Sequence, residues 1–340
     1  MSILRATTLL LLATISIVPV AQAAQEVNLY SARKEKLIKP LLDRFTQQTG
    51  IKVNLVTGKA NALLQRLKSE GRNTPADLLL TTDAGNLYRA QQAELLQAVE
   101  SKTLESSVPA HYREPEGHWY GLSVRARTIF YANDRVDPKE LGSYAGLTDP
   151  KWKGRICIRS SNNIYNQSLV ASMIAHQGVA KTEEWVNGLV KNFARRPKGG
   201  DRDQIRAAAA GECDIAIANT YYYGAMQTSS KERDRAAAKE VSLFWANQDS
   251  TGTHVNISGG AVTRYAGNKE NAIKLLEFLV NDESQRWYGE VNNEYPVKSG
   301  VEISGTLKKW GEFKADTLDL HLLGKYNAEA VRIMDRAGWR

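Results

Sequence analysis

The chain has 340 residues, 42% of them hydrophobic and 24% charged, with a formal net charge of +8. That length suits about two domains with sizeable cores, and the composition is that of a globular protein, not a disordered or fibrous one. The basic excess is spread along the sequence, with short clusters such as residues 191–196, so no nucleic-acid-binding arm or tail stands out.

The first residues read as an export signal. Residues 1–5 make a short basic start, residues 8–20 are almost wholly apolar, and Ala21-Gln22-Ala23 offers small residues for cleavage after Ala23. The apolar core is too short for an ordinary membrane span. No cysteine follows the expected cut to carry a lipid. The mature chain is expected to be exported and soluble, which argues against a nucleic-acid role.

Residues 27–30 predict a short strand, and Ser31-Ala32-Arg33 turns out of it. Residues 36–48 carry Leu37, Ile38, Leu41, Leu42 and Phe45 at helical spacing, and Thr49-Gly50 stops that helix. Residues 51–56 alternate as a second strand, 61–70 form an amphipathic helix, and 76–81 form a buried strand. A βαβαβ order of this kind builds a mostly parallel sheet. A helix follows over 84–92, then a looser stretch with Pro109, Pro115 and Gly117. Residues 120–132 predict a long strand holding Arg125 and Arg127. Residues two apart share one face of a strand, so at least one of these arginines can point into a crevice.

A second α/β set is predicted next: a strand over 154–160, helices over 163–176, 181–193 and 203–210, and a strand over 214–218. Residues 253–264 predict a further strand and 268–280 an apolar helix, with a short helix over 284–288. No internal repeat appears. A second domain inserted between two long strands makes a two-lobed, hinged protein.

The run Tyr221-Tyr222-Tyr223 stands where the strand over 214–218 ends. In an open α/β sheet that end of a strand faces the ligand crevice; the plain alternative is aromatic packing on a lobe surface. Cys157 and Cys213 are the two cysteines, and both sit at strand edges. In an exported chain they suggest a disulfide, with two separate buried thiols as the alternative. No P-loop, G-x-G-x-x-G, G-x-S-x-G or C-x-x-C is present, and none of His111, His118, His176, His254 and His321 falls in a zinc spacing.

Taken together, Tyr30-Ser31-Ala32-Arg33, Pro75-Ala76-Asp77, Arg125-Ala126-Arg127, Asn163-Ile164-Tyr165-Asn166, residues 199–204 (Gly-Gly-Asp-Arg-Asp-Gln), Asn219-Thr220-Tyr221-Tyr222 and Asn293-Glu294-Tyr295-Pro296-Val297 resemble the bacterial periplasmic ferric-ion-binding proteins. Those are substrate-binding components of ABC iron importers, and the similarity runs over essentially the whole mature chain. The implied fold is the α/β type II periplasmic binding protein, two lobes joined by crossing strands with a cleft between them. The expected division is residues 24–124 and 256–304 for the N-lobe, and 125–255 and 305–340 for the C-lobe.

The resemblance implies that Tyr221 and Tyr222 are iron ligands, with Tyr165 as the third ligand of the carbonate-dependent branch. It implies that Arg125 binds the synergistic anion, with Arg33 as a second arginine near the cleft. Tyr223 matches no ligand. Many members carry His or His-Tyr after the first strand's turn, where this chain has Lys34 and Glu35; some use a Glu where it reads Thr81-Thr82-Asp83. The implied set is therefore three tyrosines from one lobe. Iron(III) is hard and highly charged and prefers anionic oxygen donors to thiolate. Three phenolates cancel Fe3+, and Arg125 with Arg33 offsets a carbonate dianion through forked hydrogen bonds.

The implied function is capture of Fe3+ in the periplasm, without catalysis, by a monomer that delivers it to an inner-membrane ABC permease and its ATPase. The alternatives are a periplasmic carrier of a small organic or oxyanion ligand, and a secreted hydrolase, for which no nucleophile–base pair is evident.

Overall fold

The computed structural model describes residues 25–340, and the expected export signal over 1–23 lies outside the described residues. The first elements are β1 (Glu26–Ser31), α1 (Lys39–Thr49), β2 (Lys52–Thr57), α2 (Ala60–Glu70), β3 (Leu78–Thr82), α3 (Ala84–Gln92), α4 (Lys102–Ser107) and β4 (Tyr120–Ala132). The middle of the chain gives β5 (Ile156–Cys157), α5 (Ile164–Gln177), α6 (Val179–Lys191), α7 (Asp201–Ala209), β6 (Ile215–Asn219), α8 (Thr220–Gln227), α9 (Glu232–Lys239) and β7 (Val241–Phe244). The remainder is β8 (Val255–Val262), α10 (Lys269–Leu279), α11 (Asp282–Asn292), α12 (Gly305–Lys309), α13 (His321–Lys325) and α14 (Asn327–Arg336).

The strands follow the order β2-β1-β3-β8-β4-β6-β5, and β7 also pairs with β4. β1 runs parallel to β2 and β3, as the βαβαβ pattern requires. β8 lies between β3 and β4 and runs antiparallel to both. β4 links two halves of the sheet. Up to Ala126 it pairs with β8; from Arg127 onward it pairs with β6, and further along with β7. All but one of its 13 residues are buried. A strand covered on both faces should be nearly all apolar, so two buried arginines in it call for dedicated partners.

β5 is shorter than the sequence pattern suggests. It pairs with β6 in parallel at only two positions, Ile156 and Cys157. Beyond them, the carbonyls of Arg159 and Ser160 accept from the side chain of Asn166, at 2.7 and 3.1 Å, and the chain leaves the ladder. The same pairing places Cys157 beside Cys213, and the two form a disulfide with Cα atoms 5.9 Å apart. α11 extends well past the predicted 284–288. Asn281 caps its start by accepting from the Ser284 N–H at 2.8 Å, and Asn293 ends it in the left-handed region at φ 55°. α13 packs on α3 and α5, and α14 on α5 and α6, so the C-terminal helices brace the helix that carries Tyr165.

Candidate metal centre

β6 runs directly into α8, which puts the three tyrosines in the helix's first turn. Successive residues on a helix point about 100° apart, so three in a row cannot share one environment. Tyr221 and Tyr222 are half-buried, whereas Tyr223 is buried. Tyr223 packs on Phe130, and its hydroxyl donates to the carbonyls of Ala238 (3.1 Å) and Val241 (3.0 Å). Its oxygen is committed to structure. Gly224 follows because a Cβ there would lie 2.7–2.9 Å from the Asn293 side chain. The glycine lets the end of α11 approach α8 closely.

Tyr165 is the second residue of α5, whose start is capped by Asn163 accepting from the Tyr165 N–H at 3.2 Å. Its hydroxyl lies 3.2 Å from that of Tyr221, and the Tyr221 and Tyr222 ring centroids are 4.3 Å apart. The structure thus brings Tyr165, Tyr221 and Tyr222 together from two helices. Burial pushes the Tyr222 phenol up to about 12, helped by the neighbouring Tyr165 and Asp201. Burial, then Tyr165 and Tyr222, push Tyr221 well above the ordinary tyrosine value. Without a cation between them these groups stay protonated.

A cavity of about 370 Å³ opens beside them, lined among others by Tyr221, Tyr222, Arg33, Arg125 and Glu294. Tyr165 is not a lining residue and joins the group through its hydroxyl contact with Tyr221. Arg125 is buried, with its guanidinium 5.6 Å from the Tyr221 ring centroid. It donates to Ser258 Oγ, while its Nε is a buried donor without a protein partner.

Arg33 also faces the cavity, but it is less free than the sequence suggests. It donates to the Oγ atoms of Ser123 (2.8 Å) and Ser258 (2.7 Å), and it forms a buried ion pair with Glu294. Burial raises the Glu294 carboxyl; Arg33 and Arg125, with hydrogen bonds from Arg33 and Ser123, outweigh it and hold the group below the usual range. Glu294 lies in the 293–297 motif but carries no assigned role there, and no local signal reveals its ion pair, because its partner lies 261 residues away. Arg202, 5.7 Å from the Tyr222 ring centroid, was missed in the same way.

Lys34 and Thr82 line the cavity. Glu35 is exposed and begins a 3-10 turn. Asp83 turns away: its Oδ1 accepts from the Gly85 N–H (2.9 Å) and from Ser168 Oγ (2.7 Å). No histidine lines the cavity among the described residues. The arrangement offers phenolic oxygens for a hard cation and guanidinium donors for an anion beside it.

Residues 41–315 match the family of bacterial extracellular solute-binding proteins. Iron uptake protein A1 of Synechocystis is 48% identical over 316 residues, which cover 93% of this chain and 88% of that protein. The Trichodesmium protein IdiA, or FutA, solved in complex with iron and citrate ligands, is 51% identical with a TM-score of 0.91 over 93% of this chain and 100% of that one. The ferric binding protein from Campylobacter jejuni is 39% identical with a TM-score of 0.87, over 92% and 100% of the two chains. The α/β architecture is that of type II periplasmic binding proteins. The chain belongs to the bacterial extracellular solute-binding protein family and groups with its ferric-binding members.

Proposed function

We propose that this protein captures Fe3+ in the periplasm through the phenolates of Tyr165, Tyr221 and Tyr222. A small anion, carbonate in the simplest case, completes the iron shell beside Arg125, with Arg33 as a second donor. The observation that carries the reading is the convergence of these tyrosines, with Tyr165 and Tyr221 hydroxyls at 3.2 Å. Phenol oxygens gain little from such crowding on their own; a trivalent cation shared between them gains a great deal.

The cavity lining supports the anion. Arg33, Lys34, Lys36, Arg125 and Arg202 face it, against Glu294 as its one acidic group. With iron neutralised by the phenolates and Arg33 matched by Glu294, Arg125 remains as a buried cation. Its unpartnered Nε is a donor that a carboxylate-like anion would satisfy. The same excess favours a second reading, a carrier of a small oxyanion without metal.

The iron-uptake names of the relatives support the metal reading and a binding role without catalysis. A monomer that hands its cargo to an inner-membrane ABC permease and its ATPase follows from it. The lobes are residues 24–124 with 256–304 and residues 125–255 with 305–340, a division that falls close to where β4 changes partners between Ala126 and Arg127. Metal analysis of protein purified from its native compartment tests the reading. Iron near equimolar, with a visible tyrosinate-to-iron absorption, supports it; colourless, iron-free protein that carries an organic or oxyanion ligand supports the second.

A further inference from the structure

Arg127 sits two residues beyond Arg125 on the same face of β4 and is almost wholly buried, yet it does not line the cavity. Its guanidinium is instead the meeting point of three helix starts. Nη1 donates to Asp201 Oδ1 (2.7 Å), at the first residue of α7, and to Asn219 Oδ1 (2.9 Å), the residue before α8. Nη2 donates to Asn166 Oδ1 (2.5 Å) in the first turn of α5. Asn219 stands two residues before Tyr221, and Asn166 directly follows Tyr165. Asp201 closes the cluster by accepting from Arg159 Nη1 (2.5 Å) and from the Asn219 N–H (3.2 Å).

We infer that Arg127 is the positioning residue of the tyrosine site: its planar fork fixes the start of α5 against the start of α8, and with it the approach of Tyr165 to Tyr221. This rests on the reading that these tyrosines hold the metal. A buried ion pair adds little net stability over a well-packed apolar group of the same volume. A rigid fork that binds three side-chain oxygens in fixed directions sets geometry, and Lys cannot reproduce it, being a point charge on a flexible stem. Groups behind metal ligands act by orienting them, and losing one typically costs about 10–100-fold in metal affinity.

The test compares Arg127→Lys, Asn166→Ala, Tyr221→Phe and a control, Arg135→Lys. Arg135 pairs with Asp214 and Asp134, and takes no part in the tyrosine cluster. For each, the visible ferric band, ferric affinity against a competing chelator, and the thermal melt of the iron-free protein are recorded. Arg127→Lys is expected to lose about 10–100-fold in affinity with a shifted or weakened band. Arg135→Lys should keep both even where its melt falls as far.

An Arg127→Lys protein with an unchanged band and affinity within about twofold of the parent overturns the inference. Should Arg127→Lys fail to fold, Asn166→Ala decides on the same criteria, since it removes one arm of the fork and leaves every charge in place. If Tyr221→Phe abolishes the band while Arg127→Lys leaves it intact, positioning fails and the ligand reading stands. If Tyr221→Phe leaves both the band and the affinity unchanged, the ligand reading fails and takes the positioning claim with it.

Discussion

The hydroxyls of Tyr165 and Tyr221 lie 3.2 Å apart although 56 residues separate them. One comes from the first turn of α5 and the other from the first turn of α8. Neither helix start is free to drift, because Asn163 caps the first and β6 leads directly into the second.

Tyr165→Phe, Tyr221→Phe and Tyr222→Phe should each weaken ferric binding by orders of magnitude, because Phe keeps the ring and removes only the donor oxygen. Tyr223→Phe should leave binding near the parent value. It should lower folding stability by about 1 kcal/mol, since its hydroxyl donates to two buried carbonyls. Chelator competition and thermal melts read the two effects. A Tyr223→Phe protein without the iron band, beside a Tyr222→Phe protein that keeps it, would shift the ligand register by one residue.

Thiol titration of the unfolded, unreduced mature protein should find no free thiol, since Cys157 and Cys213 are joined. Their sequence separation of 56 makes the closed loop worth about 4 kcal/mol in the chain-entropy model. Denaturant midpoints with and without reductant measure it. Equal midpoints, with complete reduction verified, would contradict the expectation.

Iron added to bicarbonate-free protein should bind weakly, and bicarbonate should then strengthen binding and change the spectrum. Arg125→Gln should blunt that response, because it removes the buried cation next to Tyr221. An unchanged spectrum and affinity on adding bicarbonate, in buffer free of citrate and phosphate, would remove carbonate from the account.

The iron-free protein should lose stability in acid through His254. Burial, then Arg127 and His176, lower this imidazole from 6.5 to about 3. The unfolded chain therefore takes up a proton that the folded one refuses. The contribution is fully present above pH ~6.5 and is lost as the pH falls toward ~3, at roughly 1.4 kcal/mol per pH unit. His254→Gln should flatten the stability profile in that window. A profile as steep as the parent's would place the acid sensitivity elsewhere.

Much of this fold was legible because its signals are local. The 120–132 strand and the 84–92 helix coincide with β4 and α3. The 154–160 strand was overread because its end is set by Asn166 reaching back to two carbonyls, a contact that hydropathy does not encode. The tyrosines announced themselves as a run. Glu294 and the partners of Arg127 did not: their meaning comes from residues brought together by the crossing strand, and each alone reads as an ordinary polar residue.

If phenolates of one helix pair hold the ferric ion, colour and protons must change together on loading. Burial, with Tyr165 close by, pushes Tyr222 up to about 12 and Tyr221 well above the ordinary tyrosine value, so both enter as phenols at neutral pH. The metal binds only the deprotonated form, so binding must release protons and weaken as the pH falls. Ferric iron titrated into weakly buffered, bicarbonate-saturated protein at neutral pH should raise a visible band in step with up to about three protons per iron, after correction for iron hydrolysis and bicarbonate. Saturable binding with no visible band and no proton release would show that the tyrosines are not the ligands.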